Sequence, residues 1–104
     1  MVVHNVYFTL KDKSEEAKKT LVAECYDFTS KIDYIQYVTA GVLYEEGRRP
    51  VNDRDFEVHL LVILPNVKAL NDYAVAPSHL EFIEKNSANW EKVRVFDAVS
   101  EGNA

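Results

Sequence analysis

Residues 2–10 read VVHNVYFTL, a run rich in β-branched and aromatic side chains that stops at the polar cluster KDKS. A run of this composition that ends at a polar cluster predicts a β-strand followed by a turn. Successive side chains of a strand point to opposite faces of its sheet, and here both faces receive apolar groups. Val2, Val6, Phe8 and Leu10 share one face, and Val3 and Tyr7 share the other. The strand therefore needs apolar neighbours on both sides.

Three further strands are predicted along the chain. Residues 56–64, FEVHLLVIL, repeat the double-sided pattern, with Val58, Leu60 and Val62 on one face and Leu61 and Ile63 on the other. Residues 34–44 and 90–99 are also rich in β-forming side chains. The charged segment EEGRRPVNDRD between the second and third strands contains glycine and proline, which predicts a long surface loop within a hairpin.

Helices are predicted in two places. Apolar side chains recur at helical spacing over residues 14–30, and Asp12 with Glu15 three residues later has the form of a capping box. After the third strand, Asn66 can cap a short helix. Pro77 suits the first position of a second helical piece that is bent against the first.

The resulting order is β-α-β-β-α-β. Short, right-handed connections turn this order into a four-stranded antiparallel sheet of the ferredoxin-like type, an α+β fold. Its helices cover one face only, whereas both faces of the strands are apolar. We therefore expect a homodimer in which the open sheet faces of two chains pack together as a dimeric α+β barrel. One domain over residues 1–104 is expected, with a core of about 3–99 and a polar tail at 100–104.

Composition excludes several classes of function. The chain has 104 residues and a net charge of −5, which argues against nucleic acid or an anionic membrane as a partner. Cys25 is the single cysteine, so no internal disulfide is possible. The longest apolar run, residues 60–64, is too short to span a bilayer, and no signal-peptide pattern opens the chain. A cytoplasmic location is the expectation.

The motifs that carry phosphate or metal chemistry are not found in the sequence. There is no GxGxxG, Walker or GxSxG motif, and the three histidines lack HxH or HExxH spacing. The sequence therefore predicts neither a bound metal nor a cofactor.

His79 and Tyr73 are the leading catalytic candidates. His79 lies in the first turn of the second helical piece, where the helix N-terminus disfavours an imidazolium and leaves a neutral base. Tyr73 lies six residues earlier across the Pro77 bend, so phenol and imidazole can meet. The phenol would donate to a carbonyl oxygen while the imidazole removes a neighbouring proton. A purely structural role, with buried rings, is the alternative for both.

The other two histidines lie on different faces of the sheet. His4 shares the strand face of Val2, Val6 and Phe8, which suits either a core histidine or a functional one. His59 has the opposite parity to Val58, so it faces either the helices or a second subunit.

Three segments, HNVYFTLKD, NVKALNDYAVAPSHLEF and WEKVRVFD, together resemble the stress-responsive A/B barrel (Dabb) family of the dimeric α+β barrel group. The resemblance covers about residues 3–99. Its most specific part is DYAVAPSHLEF, which is similar to a tyrosine followed by a His-Pro-x-His element. Ala76 stands here at the first histidine of that element.

The resemblance implies a dimer and, for many members, no established activity. A plant polyketide cyclase of the family closes a linear poly-β-ketone by intramolecular aldol condensation without a cofactor. Its catalytic histidine and tyrosine correspond to His79 and Tyr73, and its strand-three histidine corresponds to Val58. The residues corresponding to its pocket are His4, Phe8, Tyr26, Phe82 and Trp90.

Three hypotheses follow. The first is a homodimeric protein with a small apolar pocket near Tyr73 and His79 for an aromatic or ketide-like metabolite. The second is a cofactor-free cyclase, isomerase or lyase with His79 as general base and Tyr73 as carbonyl-polarising donor. The third is a structural dimer whose pocket is filled by its own side chains.

Overall fold

The computed structural model of the protein describes residues 1–101 and follows the predicted order of elements. The elements are β1 (Val2–Leu10), α1 (Glu15–Thr29), β2 (Tyr37–Val42), β3 (Val58–Leu64), α2 (Val67–Ala74), α3 (Pro77–Asn86), a 3-10 turn (Ser87–Asn89) and β4 (Trp90–Val99). The α+β, ferredoxin-like prediction is confirmed. Of the predicted tail, residues 102–104 lie outside the described residues.

The four strands form one antiparallel sheet in the order β2-β3-β1-β4. β1 is central and pairs with β3 on one side and with β4 on the other. His4 is opposite Val62 and Asp97, and Tyr7 is opposite His59 and Arg94. This register decides which side chains of the three strands share a face.

The core lies between one face of the sheet and the helices. Along β1 and β3 the burial alternates, with every second side chain fully buried. The buried side chains of this inner face include Val2, Val6, Phe8, Val58, Leu60, Val62 and Leu64. The alternate set, on the outer face, is only half-buried and consists of Val3, Asn5, Tyr7, His59, Leu61 and Ile63. The structure thus has the two-sided apolar sheet that the sequence predicts.

Three local predictions need correction. Helix α1 is capped by Ser14, whose Oγ accepts from the Ala17 amide at 3.1 Å, because Asp12 is occupied in accepting from the Ser14 amide at 2.9 Å. β2 begins at Tyr37 rather than at residue 34, because the preceding side chains pack on the core outside the strand. β3 begins at Val58, two residues later than predicted.

Ion pairs attach the loop between β2 and β3 to β4. Arg94 binds both carboxylate oxygens of Asp53, with Nη1 to Oδ2 at 2.7 Å, and donates to the Asp55 carbonyl oxygen at 2.9 Å. Lys92 pairs with the carboxylate of Asp55. The hairpin loop therefore reaches across the end of β1 to the far edge strand.

The helical layer is offset from β4. Helix α1 packs on β2 and β3, α2 packs on β3, and α3 packs on α1. The inward-facing side chains of β4 are consequently accessible, with Val93 38% and Val95 49% exposed. A cleft remains between β4 and the two short helices.

Candidate functional site

A cavity of about 400 Å³ occupies this cleft, with β1 and β4 on one side and α2 and α3 on the other. Most of its wall is aliphatic or aromatic. The apolar lining includes Val6, Phe8, Phe28, Leu60, Leu70, Phe82, Ile83, Trp90, Val93 and Val95. The polar lining consists of His4, Asn71, Tyr73, His79 and Asp97. A few polar groups in an apolar concavity are typical of a small-molecule site.

Six of the seven predicted site residues line this cavity, namely His4, Phe8, Tyr73, His79, Phe82 and Trp90. Tyr26 does not. It lies on the exposed side of α1, and its hydroxyl oxygen donates to the Ala40 carbonyl at 3.2 Å and accepts from the Ala40 amide at 3.0 Å. The prediction for Tyr26 is wrong because α1 turns this side chain towards the edge of β2.

Tyr73 lies between the two histidines of the site. Its ring centroid is 5.2 Å from that of His4 and 4.8 Å from that of His79. The residue is only 1% exposed, and its hydroxyl has no hydrogen-bond partner among residues 1–101. Burial strongly raises the pKa of this phenol, so the group remains protonated and able to donate.

His79 is held by the turn between α2 and α3. Pro77 opens α3 and brings His79 back over the end of α2, where its Nδ1 lies 3.0 Å from the Ala74 carbonyl oxygen. A carbonyl only accepts, so Nδ1 carries the proton and Nε2 carries the lone pair. Burial lowers the pKa of His79, the Ala74 carbonyl opposes this, and nearby His4 adds to it. The ring is therefore neutral near pH 7 and able to accept a proton at Nε2.

His4 is oriented by a carboxylate. Its Nδ1 lies 2.5 Å from Oδ1 of Asp97 on the neighbouring strand. The carboxylate at Nδ1 fixes the orientation of the ring and leaves Nε2 as the ring nitrogen without a bond to Asp97.

Asp97 was missed at the level of the sequence. A signal was present, because Asp97 has the same strand parity as the apolar Val93 and Val95. A carboxylate on the inward side of a strand needs a partner, and an imidazole on the adjacent strand supplies one.

Together these groups give the cavity a definite chemical capacity. Tyr73 is a hydrogen-bond donor, His79 is a proton acceptor, and His4 with Asp97 forms a second, oriented imidazole. The surrounding apolar wall strengthens electrostatic interactions with any polar group of a ligand. The arrangement can hold a small apolar molecule by one oxygen atom and move a proton at that end.

Two further observations concern metals and membranes. Within residues 1–101, no three His, Cys, Asp or Glu side chains come together in a group that could hold a metal ion. In the same part of the chain, no helix combines the length and the apolar character needed to cross a membrane.

Solved structures share this fold over nearly the whole chain. A Dabb family protein with a ferredoxin-like fold from Mesorhizobium loti has a TM-score of 0.78 at 20% identity, over 97% of each chain. A hydroxynitrile lyase from Passiflora edulis has a TM-score of 0.77 at 18% identity, over 99% of this chain and 95% of the other. A dimeric protein of unknown function with a ferredoxin-like fold from Bacteroides fragilis has a TM-score of 0.72 at 20% identity, over 93% of each chain. At these identities the likeness concerns the fold.

The sequence comparisons identify the family. No curated protein matches this chain. The model of the Stress Responsive A/B Barrel Domain matches residues 2–100, a range that includes every strand and helix described above. This chain belongs to the stress-responsive A/B barrel (Dabb) family.

Proposed function

We propose that the protein is a homodimer that binds a small, largely apolar metabolite carrying a carbonyl or hydroxyl oxygen in the cavity beside β4. One observation carries this proposal: the buried hydroxyl of Tyr73 has no partner among residues 1–101, although it belongs to the wall of an apolar cavity. Buried polar groups are nearly always hydrogen-bonded. A ligand oxygen would satisfy the phenol, and the aromatic walls would hold the rest of the molecule.

The homodimer is proposed from the outer face of the sheet. Apolar side chains on this face, such as Leu61, Ile63 and Phe96, are partly or largely exposed in one chain. A second copy would cover them with the same surface, in an isologous contact. Dimers of the same fold, such as the Bacteroides fragilis protein, support a second copy as the partner.

A second candidate function is proton transfer without a cofactor. It is favoured by the bond from His79 Nδ1 to the Ala74 carbonyl, which leaves Nε2 as the accepting atom. In a cyclase or isomerase, Nε2 would take a proton from the carbon next to a carbonyl, and the C–H electron pair would form an enolate. Tyr73 would donate to the enolate oxygen. In a lyase, Nε2 would take a hydroxyl proton instead, the O–H electron pair would form a carbonyl, and the adjacent C–C bond would break with its electron pair leaving on the departing anion. The fold likeness to a hydroxynitrile lyase agrees with this class of reaction.

Binding is tested first, by native mass spectrometry and then by NMR titration with a panel of aromatic ketones and β-diketones. We expect a dimer, and shifts at Tyr73, His79 and Phe82 on titration. Tyr73→Phe should weaken binding about tenfold, the loss of one hydrogen bond in a buried site. Tyr37→Phe, on exposed β2, is the matched control and should bind normally. If no compound of the panel shifts the cavity resonances, the binding proposal fails.

Proton transfer is tested separately, by following deuterium exchange at the carbon between the carbonyls of a β-diketone in D₂O. The wild-type protein should accelerate exchange, and His79→Gln should abolish the acceleration. His59→Gln, on the outer face, is the matched control and should retain it at pH 7.5. Equal exchange rates with and without wild-type protein would contradict an enzymatic role.

A further inference from the structure

His59 lies near the start of β3 on the outer sheet face, on the side opposite the cavity. It is opposite Tyr7 on β1 and Gly41 on β2. Its ring stacks on that of Tyr7, with 4.7 Å between centroids and 26° between planes, and its Nε2 lies 3.4 Å from Oδ1 of Asn5. The ring is half-buried within a single chain.

The surroundings of His59 on its own sheet are neutral. On β1 the same face presents Asn5 and Tyr7, and on β2 it presents Thr39 and Gly41. The side chains of Asn5 and Thr39 are an amide and a hydroxyl. Neither strand offers a carboxylate to a protonated imidazole.

On its other side, Tyr7 faces a positively charged group. The guanidinium carbon of Arg94 lies 5.9 Å from the centroid of the Tyr7 ring, on β4. Phe96 of β4 and Phe56 of the loop also pack on Tyr7, at 5.8 and 4.9 Å between ring centroids.

The carboxylates of this region are already paired. Asp53 binds Arg94, Asp55 binds Lys92, and Glu57 accepts from the Leu10 amide and from Lys13. Within residues 1–101 no ion pair reaches His59, and burial alone lowers its pKa. The outer face is therefore built for a neutral imidazole.

We propose that His59 makes the homodimer pH-dependent: the neutral ring packs between the two sheet faces, and its protonation separates the subunits. This inference rests on the homodimer of the proposed function. A second copy would remove the remaining water from His59 and add a surface with the same neutral amide, the same aromatic rings and the same Arg94. An imidazolium confined there would have no anion to pair with, and such burial is costly.

The direction of the effect follows from linkage. The dimer favours the neutral ring, so the dissociation constant stays level at pH values above the pKa of His59 in the free subunit. As the pH falls below that value, each histidine raises the dissociation constant by up to about tenfold per pH unit. Two copies of His59 per dimer give up to about a hundredfold per unit.

Sedimentation velocity at micromolar concentration, at pH 8.0 and pH 5.5, tests the inference, with circular dichroism to verify that the subunits are folded. The wild-type protein should be a dimer at pH 8.0, with a dissociation constant at least tenfold higher at pH 5.5. His59→Gln and His59→Phe, which keep a hydrogen-bonding or a stacking side chain, should change less than threefold. His79→Gln, in the cavity, is the control that should retain the wild-type pH dependence.

The possible failures are distinct. A monomer at both pH values would overturn the homodimer itself. A wild-type dimer that is equally stable at both pH values would leave the homodimer standing and overturn the role of His59. The same role is overturned if both His59 variants dissociate in acid as the wild type does, or if neither variant dimerises at pH 8.0.

Discussion

The Nδ1 atom of His4 and the Oδ1 atom of Asp97 lie 2.5 Å apart, so a side-chain hydrogen bond at the wall of the cavity adds to the backbone pairing of the central strand β1 with the edge strand β4. The two residues are directly opposite in the strand register. The imidazole is nearly buried, whereas the carboxylate side chain is 40% exposed. This bond orients one of the two imidazoles of the site and also helps to hold its least covered strand.

Asp97→Asn should therefore affect both stability and binding. The amide keeps the shape of the carboxylate but loses its charge, and water already screens the exposed Asp97. We expect a loss of about 1 kcal/mol in the free energy of unfolding, measured in urea, together with weaker binding of ketone ligands. Asp27→Asn is the control, because the ion pair of Asp27 with Lys31 is exposed on α1. Its loss should lower the free energy of unfolding by less than about 0.5 kcal/mol. Equal effects of the two substitutions would contradict this role of Asp97.

Acid should destabilise the fold through His79. Burial lowers the pKa of His79 below its ordinary value of 6.5, so below that pH the unfolded chain binds more protons than the native one. The free energy of unfolding is then unaffected above about pH 7 and falls as the pH drops towards the native pKa.

The measurement is urea unfolding at pH 7.5 and 5.5, in a His59→Gln background that removes the half-buried imidazole of the outer sheet face. Adding His79→Gln should reduce the loss in the free energy of unfolding between pH 7.5 and pH 5.5. If that loss is unchanged, a group other than His79 causes the acid sensitivity.

The mouth of the cavity should respond to side-chain size at Val93. This residue lines the cavity and is 38% exposed, so a larger ring can enter the opening without overpacking the core. Val93→Phe should weaken ketone binding about tenfold or more and change stability by less than about 1 kcal/mol. Val99→Phe, on the same strand but 75% exposed and outside the cavity lining, should bind normally. Isothermal titration calorimetry of both variants with a ketone ligand measures the two affinities.

Tyr26 should protect the outer edge of β2. Its hydroxyl satisfies both the amide and the carbonyl of Ala40, two groups that an edge strand otherwise leaves free. Tyr26→Phe should cost about 1 kcal/mol and speed hydrogen exchange at the Ala40 amide, with no effect on ligand binding. Slower or unchanged exchange in the variant would contradict this role.

Cys25 should be inert in the native protein. It is fully buried on α1, and burial, with a smaller effect of Glu24, raises the pKa of its thiol to about 12. The thiolate is the reactive form, so it is scarce at pH 8. Ellman's reagent should react with Cys25 in urea but hardly at all under native conditions. Rapid reaction of the folded protein would show that α1 opens easily.

Much of the fold could be predicted because it rests on local patterns. The alternation in residues 2–10 and 56–64 indicated the strands and their two apolar faces, and Pro77 indicated the bend that brings Tyr73 and His79 together. Parity alone separated His4 from His59 by face, but it did not show which of the two faces the helices cover. These predictions use periods of two and of 3.6 residues, which the backbone imposes directly.

The missed features depend on contacts that local patterns do not reveal. Asp97 becomes a site residue only through its register with His4, 93 positions away in sequence. Tyr26 was assigned to the pocket through family resemblance, whereas the rotation of α1 about its axis places it at the edge of β2. The capping residue of α1 was misassigned because Asp12 and Ser14 are both good caps, and the choice between them depends on the path of the preceding turn.

The pairing of β1 with β4 also has a consequence for biosynthesis. β1 leaves the ribosome before the other three strands, yet one of its edges stays unpaired until residues 90–99 have emerged. The β1–β3 pairing becomes possible earlier, because β3 ends at Leu64. The cavity beside β4 is therefore complete only after β4 has emerged, and a molecule that occupies it could not act as a template for the pairing of β1 with β3.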